Sequence, residues 1–357
     1  MSAPGRIRRR LGALLATLVA SALLAGCAIT DLDVTASSAG YQPFLPEVRS
    51  EDSGLREEFQ LSPQEAHEFW SDPERFEEAE GLDYQAPENV PQGGGDPATG
   101  AYRPATEPMP ASPQGYGTVS AAEVYDRNGL GASTFGRLYT TFDGQSMFVC
   151  SATVINSDSG DIVLTAAHCV VELDGSGTVA QGVMFVPGDR NEAQEQPYGM
   201  WAAVEVSVPQ EFVDHALADS SGMVTSDRGW SHDFAFLKME RQNGQSIQSV
   251  TGGQGVAFGI PVDTLTQIGY PASGRFDGRE EYMCASTSYT SNGQGGYSHY
   301  CDMTPGSSGG GWLTSFDSTS GTGYVVGVNS TILVGRDISS AAVLGQTALD
   351  LYTELDG

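Results

Sequence analysis

The feature that most constrains the fold is a series of short β-prone segments from residue 119 to near the C-terminus. Runs rich in Val, Ile, Thr, Phe and Tyr alternate there with clusters of Gly, Asn, Asp and Ser, a pattern typical of strands joined by turns. The predicted strands cover residues 148–155, 161–165, 178–187, 203–208, 234–239, 265–270, 281–287 and 324–328. Eight or more short strands favour a sandwich or a barrel. The apolar pattern of residues 341–355 predicts one C-terminal helix packed on that body.

Residues 1–27 indicate an export signal. Four Arg precede an uncharged apolar run over residues 11–25, which at about fifteen residues is short for a membrane span but has the length of a signal-peptide core. Residues 24–27, Leu-Ala-Gly-Cys, resemble the lipobox of bacterial lipoproteins, in which the cysteine is lipidated and becomes the new N-terminus. The alternative is an ordinary secretory signal whose cleavage site lies near a cysteine.

The cysteine count favours lipidation. Of five cysteines, Cys150 with Cys169 and Cys284 with Cys301 form two close pairs, and Cys27 stands alone. An exported chain matures in an oxidising setting, where a leftover cysteine needs an explanation. Two or more acyl chains anchor a protein stably. We therefore expect a cell-envelope lipoprotein held on the outer face of the cell membrane through Cys27, and leave open whether processing releases the catalytic domain.

The next two segments differ from the rest in composition. Residues 28–118 contain eighteen Asp and Glu against four Arg and no Lys, so no large core is expected there. Residues 28–84 are predicted to be a largely unstructured acidic pro-region with two short helices, one starting at the capping box Ser62-Pro63-Gln64-Glu65 and the other at Asp72-Pro73. Residues 85–118 are predicted to be a Pro- and Gly-rich linker in which the prolines prevent regular structure.

Residues 119–357 form the domain-sized part of the chain. They carry 27 acidic and nine basic side chains. This charge opposes nucleic-acid binding, because phosphate contacts depend on Lys and Arg, and it identifies no substrate, since acidity also keeps exported proteins soluble. No cluster has zinc-ligand spacing and no EF-hand pattern is present. We expect no cofactor or metal, and a monomer.

Three local motifs supply the parts of a serine hydrolase, which needs a base beside the serine, a group behind the base, and amide donors for the oxyanion. His168 follows a predicted strand and precedes Cys169, which could clip the histidine turn to Cys150. Asp233 comes directly before an alternating apolar strand. Ser308 lies in Gly306-Ser307-Ser308-Gly309-Gly310, whose glycines permit a turn with converging amides. The oxyanion donors would be the N–H groups of Gly306 and Ser308.

His168, Asp233 and Ser308 occur in the chain order of the chymotrypsin-like serine peptidases, and the chain resembles that family over residues 119–357. Other serine hydrolases order their triads differently. The resemblance implies an all-β fold of two six-stranded antiparallel β-barrels, with His168 and Asp233 on the first and Ser308 on the second. It also implies a serine endopeptidase that hydrolyses proteins or peptides through an acyl-enzyme.

Residues 300–312 and 269–271 look like the bacterial branch that includes glutamyl endopeptidases and actinobacterial trypsin-like enzymes. Residues 70–76 are similar to the pro-segment of the latter. In animal members an aspartate before the nucleophile pairs with the N-terminal amine made by cleavage; that position is Ser307 here, so this activation switch is not expected. We predict instead that the pro-region regulates by occlusion or by assisting folding.

The residues predicted to bind substrate are Asp302, Thr304, Val328, Asn329 and Ser330. Asp302 stands six residues before Ser308, where trypsin-like enzymes keep the carboxylate that selects Lys or Arg. That interpretation is discounted, because glutamyl endopeptidases can also have Asp there and the usual cysteine between it and the nucleophile is Thr304. Residues 328–330 replace the common Ser-Trp-Gly of the pocket wall, and no cleavage preference follows.

The remaining histidines are predicted to be non-catalytic. His67 lies in the pro-region, His215 and His299 lie in polar loops, and all three are expected to be surface residues. His232 adjoins Asp233, but neighbouring side chains point apart along a strand. Two other functions stay open. The chain could be a catalytically silent surface lipoprotein that keeps the peptidase fold as a binding module, or a lipoprotein whose N-terminal 90 residues bind a partner.

Overall fold

The computed structural model describes residues 54–82, 84–86, 97–191, 193–226, 229–291, 296–333 and 335–357. The predicted export signal, Cys27 and the first part of the acidic segment lie outside these residues. Within them, no helix combines the length and the apolar character that crossing a bilayer requires.

Residues 54–86 form what we call the N-terminal arm. Its elements are β1 (Gly54–Glu58), α1 (Pro63–Phe69), α2 (Pro73–Glu77), β2 (Glu80–Gly81) and β3 (Tyr84–Ala86). Both helices begin where the sequence predicts. The Glu65 carboxylate accepts from the Ser62 amide at 2.9 Å, and the Asp72 side chain accepts from the Glu74 amide at 3.1 Å. Capping and a proline in the first turn let so short an acidic segment form helices.

The rest of the chain builds two β-sheets. Its first half contains β4 (Ala101–Arg103), β5 (Val119–Val124), α3 (Gly131–Thr134), β6 (Phe135–Thr141), β7 (Met147–Val154), β8 (Ile162–Thr165), β9 (Gly182–Pro187), β10 (Trp201–Pro209), α4 (Gln210–His215) and β11 (Ala235–Met239). Its second half contains α5 (Ile247–Thr251), β12 (Gly255–Phe258), β13 (Leu265–Gly269), β14 (Tyr282–Ser286), β15 (Thr290–Ser291), β16 (Gly296–Tyr300), β17 (Gly311–Asp317), β18 (Thr322–Leu333), β19 (Ile338–Val343) and α6 (Gln346–Asp356).

The two-barrel prediction is confirmed. In the first sheet the antiparallel order β10-β11-β8-β7-β6-β9 closes on itself, because β9 also pairs with β10. The second sheet carries six antiparallel strands in the order β16-β19-β18-β17-β13-β14. Apolar side chains from the strands of both sheets are buried and form the core.

The C-terminal helix is present but starts later than predicted. Residues 341–343 continue β19, which pairs with β16 and β18, and α6 starts only after Gly345. The alanines of this stretch fit a strand as well as a helix, so main-chain pairing decides. Tyr352 of α6 packs on Phe236 and Phe258, with ring centroids 5.9 and 5.5 Å apart.

The prediction of an irregular linker is wrong for residues 101–103. β4 pairs antiparallel with β12, and the guanidinium of Arg103 donates two hydrogen bonds to Asp158 at 2.6 and 2.8 Å. The Pro104 carbonyl accepts from the Asn156 side chain at 2.7 Å. Prolines flank this edge strand without interrupting it, a position where a missing N–H is tolerated.

Candidate active site

His168 and Asp233 are presented by neighbouring strands of the first barrel. His168 lies in the 3₁₀ turn Ala167–Cys169 after β8, and Asp233 ends the 3₁₀ turn Trp230–His232 before β11. Because β8 pairs with β11 through Thr165 and Ala235, the two side chains meet at one edge of the sheet. His168 Nδ1 lies 2.7 Å from Asp233 Oδ2, and the His168 main-chain N–H donates to Oδ1 at 2.9 Å.

The Asp233 carboxylate is fully buried and bound on both oxygens. Besides the two bonds from His168, it accepts the Ser330 hydroxyl at 2.7 Å on Oδ2. These three hydrogen bonds hold the carboxylate in one orientation behind the histidine ring. Ser330 therefore supports the histidine's partner, which is a different role from the substrate-binding wall expected of it.

Both predicted disulfides are present. Cys150–Cys169 joins β7 to the end of the histidine turn with Cα atoms 6.3 Å apart, and Cys284–Cys301 joins β14 to the residue after β16 with Cα atoms 5.8 Å apart. The first bond fixes the turn of His168 to the strand that faces it. The second fastens two strands of the other barrel near the nucleophile loop.

The nucleophile loop, residues 304–310, precedes β17 of the second barrel and packs against the turn that carries His168. Gly306 and Gly309 have φ of +100° and +78°, which favour glycine. A Cβ on Gly309 would lie 2.2 Å from Thr165 Oγ1 and 2.8 Å from the Ala166 nitrogen. Only a glycine lets the loop approach so closely. The contact brings Ser308 to the turn that carries His168, so the structure gathers all three predicted triad residues.

Ser151 is a site residue that sequence reasoning missed. Its N–H donates to the Ser308 carbonyl at 2.7 Å, and its hydroxyl donates to the Gly306 carbonyl at 2.9 Å. The signal that the sequence offers is a serine within the largely apolar run that forms β7. Gly306 and Ser308 are the residues predicted to supply the oxyanion donors. The main-chain carbonyls of both accept hydrogen bonds from Ser151 of the first barrel.

The N-terminal arm covers this site. The Tyr84 ring packs edge-on against His168 with centroids 5.1 Å apart, and lies 5.5 Å from Trp230. A Cβ on Gly81 would fall 2.9 Å from the Gly306 nitrogen. Ser308 is 0% exposed and His168 1%. The nucleophile and the base are therefore closed off from solvent in the intact chain.

Asp302 and Thr304, which were predicted to bind substrate, make their polar contacts within the protein. The Asp302 carboxylate pairs with Arg275 at 2.9 Å and accepts from the Ala122 amide at 2.6 Å. Its charge is thereby balanced, which supports discounting selection of Lys or Arg by Asp302. Thr304 exchanges hydrogen bonds with the main chain of Ser273 at 3.0 and 3.2 Å.

The other two residues of that set, Val328 and Asn329, are fully buried in β18. The Asn329 amide donates to the Ser307 hydroxyl at 3.2 Å and accepts from Gln267 at 2.9 Å. Gln267 is joined in turn to His299 Nε2 at 3.2 Å. These side chains form a buried polar chain beneath the nucleophile loop.

The prediction that His299 is a surface loop residue is wrong. It lies on β16, is buried, and stacks edge-on against Trp312 at 4.5 Å. Burial lowers its pKa from 6.5 to about 4, so the ring is neutral at physiological pH. His67 and His215 are partly exposed, as surface residues would be. His232 Nδ1 contacts the Ser231 hydroxyl at 3.1 Å.

A single cluster of the described residues has metal-ligand spacing. It consists of Cys150, His168 and Cys169. Its two sulfurs are joined in a disulfide, and a coordinating cysteine must be a thiolate, so these residues do not fit a metal ion.

Comparison with known proteins places the chain among peptidases. The profile of the trypsin-like peptidase domain matches residues 150–328, half of the chain and all three candidate triad residues. The structure of the protease Anisep from Arthrobacter nicotinovorans is similar at 28% identity and a TM-score of 0.51, covering 63% of this chain and 95% of that one. A thermostable serine protease, AL20, from an extremophilic microorganism is similar at 26% identity and a TM-score of 0.51, covering 64% and 98%. No protein of curated function matches the sequence.

Proposed function

Because the chain belongs to the trypsin-like peptidase family, and is a serine endopeptidase acting on proteins or peptides, we propose that Ser308, His168 and Asp233 are its catalytic triad. The observation that carries this assignment is the pair of hydrogen bonds between His168 and the buried Asp233 carboxylate, one from the main-chain N–H and one from Nδ1. A carboxylate only accepts, so Nδ1 carries the hydrogen and Nε2 is left with a lone pair. That tautomer is the one a general base requires.

The chemistry follows from these positions. Ser308 Oγ attacks the scissile carbonyl while His168 Nε2 takes its proton, and the oxyanion is received by the N–H groups of Gly306 and Ser308. His168 then gives the proton to the departing amine, and water hydrolyses the acyl-enzyme by the reverse sequence. The buried Asp233 stabilises the imidazolium formed at each step.

We also propose that the N-terminal arm is a pro-region that keeps the enzyme latent by occlusion. β2 pairs with β7 through Glu80 and Phe148, and β3 pairs with β18 through Tyr84 and Thr331. The arm thus crosses the groove between the two barrels, over the nucleophile loop. Main-chain pairing of this kind is a general mode of peptide binding.

The direction of the arm supports inhibition over cleavage. The resemblance to chymotrypsin-like peptidases implies that substrate pairs with β18, so its acyl half would run along β18 and its leaving half toward β7. The arm runs from β7 to β18, the opposite way, and its pairing with β18 is parallel. A reversed strand fills the groove without offering a carbonyl in the attacking geometry.

The cellular setting remains a prediction from sequence. We propose that the chain is exported and held on the outer face of the cell membrane through Cys27, with the acidic segment before the arm as a spacer. Two cysteine pairs that are disulfides are in keeping with an oxidising compartment.

Labelling with a fluorophosphonate probe tests the triad. We would use the full chain carrying Gly81→Val, whose side chain cannot fit against Pro305 and Gly306, so that this part of the arm leaves the groove. Peptide mapping should find the probe on Ser308, and His168→Ala should abolish labelling without loss of circular dichroism.

A folded, open chain that is not labelled at Ser308 would contradict the proposal and favour the silent binding module. The matched control is Gly117→Val, because a Cβ at Gly117 meets no atom within 4 Å. This variant should label as slowly as the unchanged chain.

A further inference from the structure

The oxyanion site depends on the orientation of two peptide groups in the nucleophile loop. The N–H groups of Gly306 and Ser308 act only if the flanking peptide planes are held in one arrangement. The residue between them, Ser307, is buried and donates its hydroxyl to the Thr304 carbonyl at 2.9 Å. The neutral hydroxyl of Ser307 cannot form an ion pair with an N-terminal amine, as an aspartate at this position would. A different group must therefore hold the nucleophile loop.

Every polar group of Ser151 makes a hydrogen bond, either to the nucleophile loop or to a residue beside it. Its N–H donates to the Ser308 carbonyl at 2.7 Å, and its carbonyl accepts from Thr165 Oγ1 at 2.9 Å. Its Oγ accepts from the Tyr270 amide at 2.9 Å and lies 2.9 Å from the Gly306 carbonyl. Because an amide can only donate, the hydroxyl hydrogen must point to Gly306.

These bonds fix the carbonyls of the two residues whose amides would bind the oxyanion. They also cross from one barrel to the other, since Ser151 lies on β7 while the loop follows β16 and Tyr270 follows β13. We propose that Ser151 is the positioning residue of the nucleophile loop, holding it ready for catalysis before any cleavage of the chain. This inference rests on the proposed function of Ser308, and it implies that activation requires only removal of the arm.

The alternative is that Ser151 merely satisfies buried polar groups, as most buried serines do. Thr153 provides the matched comparison. It lies two residues further along β7, so its side chain points to the same face, and its buried hydroxyl has no hydrogen-bond partner among the residues that the structure describes. Thr153→Val removes a buried hydroxyl from the same strand and breaks no bond to the loop.

The test compares Ser151→Ala with Thr153→Val in the full chain carrying Gly81→Val. Removing one oxyanion donor outright lowers kcat by about 100- to 1000-fold. Loosening the loop should lower kcat by roughly 10- to 100-fold, with KM within about twofold. Affinity for a peptide boronic acid, which forms a tetrahedral adduct on Ser308, should fall by the same factor as kcat. Thr153→Val should change none of these.

Each alternative outcome is distinct. Equal losses in both variants, or a raised KM with an unchanged kcat, would assign Ser151 a structural role and overturn the inference. If Ser151→Ala does not fold, the uncut Gly81→Val chain decides: hydrolysis by it shows that no new N-terminal amine is needed, and activity only after cleavage overturns the inference. A Gly81→Val chain inactive both before and after cleavage would instead contradict the proposed function.

Discussion

The two parts of the N-terminal arm bind the peptidase domain in different ways. The helical dock, residues 62–78, buries Trp70 completely and Phe76 almost completely, and both pack on Tyr139 with ring centroids 5.7 and 4.6 Å away. The crossing segment, residues 80–82 and 84–86, forms strands of two and three residues, of which only Ala86 is buried. The dock supplies apolar contact area, and the crossing segment lies against the nucleophile loop and His168.

This division explains how so short an inhibitory strand could stay in the groove. A segment joined directly to a docked body rebinds as an intramolecular event, at an effective concentration in the millimolar range or above. The strand therefore needs little affinity of its own. Cutting the chain after Ala86 would leave the dock in place, so we expect release of activity to require loss of the dock as well.

Removing the dock's central side chain should have the largest effect. Truncating a buried Trp to Ala costs about 3–5 kcal/mol, which is more than a hundredfold in the dissociation of the arm. In the full chain, Trp70→Ala should raise hydrolysis of a peptide substrate toward the value of an open groove. Phe69→Ala, at the residue before Trp70 but only partly buried, should raise it much less. A folded Trp70→Ala chain that stays latent would show that the dock is not the anchor.

Opening the crossing segment alone should have an intermediate effect. Gly81→Val places a branched side chain where even a Cβ would lie 2.7 Å from the Pro305 carbonyl carbon, so this part of the strand must leave the groove. The docked helices and β3 would still return Tyr84 to His168 part of the time. We expect roughly tenfold faster labelling of Ser308 than in the Gly117→Val control. A rise as large as that of Trp70→Ala would mean that the dock does not help to hold β3 in place.

The sequence predicted the parts of this molecule whose causes are local. Ser62 with Glu65 and Asp72 before Pro73 specify helix starts within a few residues, and both helices are found there. The residues His168 and Asp233 are brought together because each stands next to a strand with its own clear pattern. Local rules also predicted both cysteine pairs.

The remaining features depend on partners far away in the chain. β2 and β3 are too short to show a periodicity, and their position comes from pairing with β7 and β18. His299 follows a glycine-rich stretch that indicates a loop, yet pairing with β19 turns it into a buried strand residue. The charge of Asp302 is balanced by Arg275, 27 residues away. No window of sequence contains these contacts.

The smallest expected effect concerns a polar contact of the dock, between His67 Nε2 and Glu240 Oε1 at 2.5 Å. Burial alone would raise the pKa of Glu240, but hydrogen bonds from His67, the Ala202 amide and Gln242 bring it below its ordinary value of 4.5. A carboxyl whose pKa is lowered in the folded state stabilises that state above its ordinary pKa, and this contribution is lost as the pH falls through the lowered value.

A partly exposed pair of this kind is worth at most about 1 kcal/mol, or roughly fivefold in opening of the dock. At pH 7, His67→Ala should therefore speed hydrogen exchange of the α1 and α2 amides by about two- to fivefold, after correction for the intrinsic rate. The difference from the unchanged chain should shrink as the pH falls below 4.5 through the lowered pKa of Glu240, because a protonated carboxyl no longer accepts from His67 as a carboxylate does. His215→Ala, a partly exposed histidine on α4, should leave exchange in the dock unchanged at every pH. An effect of His67→Ala that stays the same at every pH down to the acid limit of folding would mean that packing of the ring, and not its bond to Glu240, contributes to the dock.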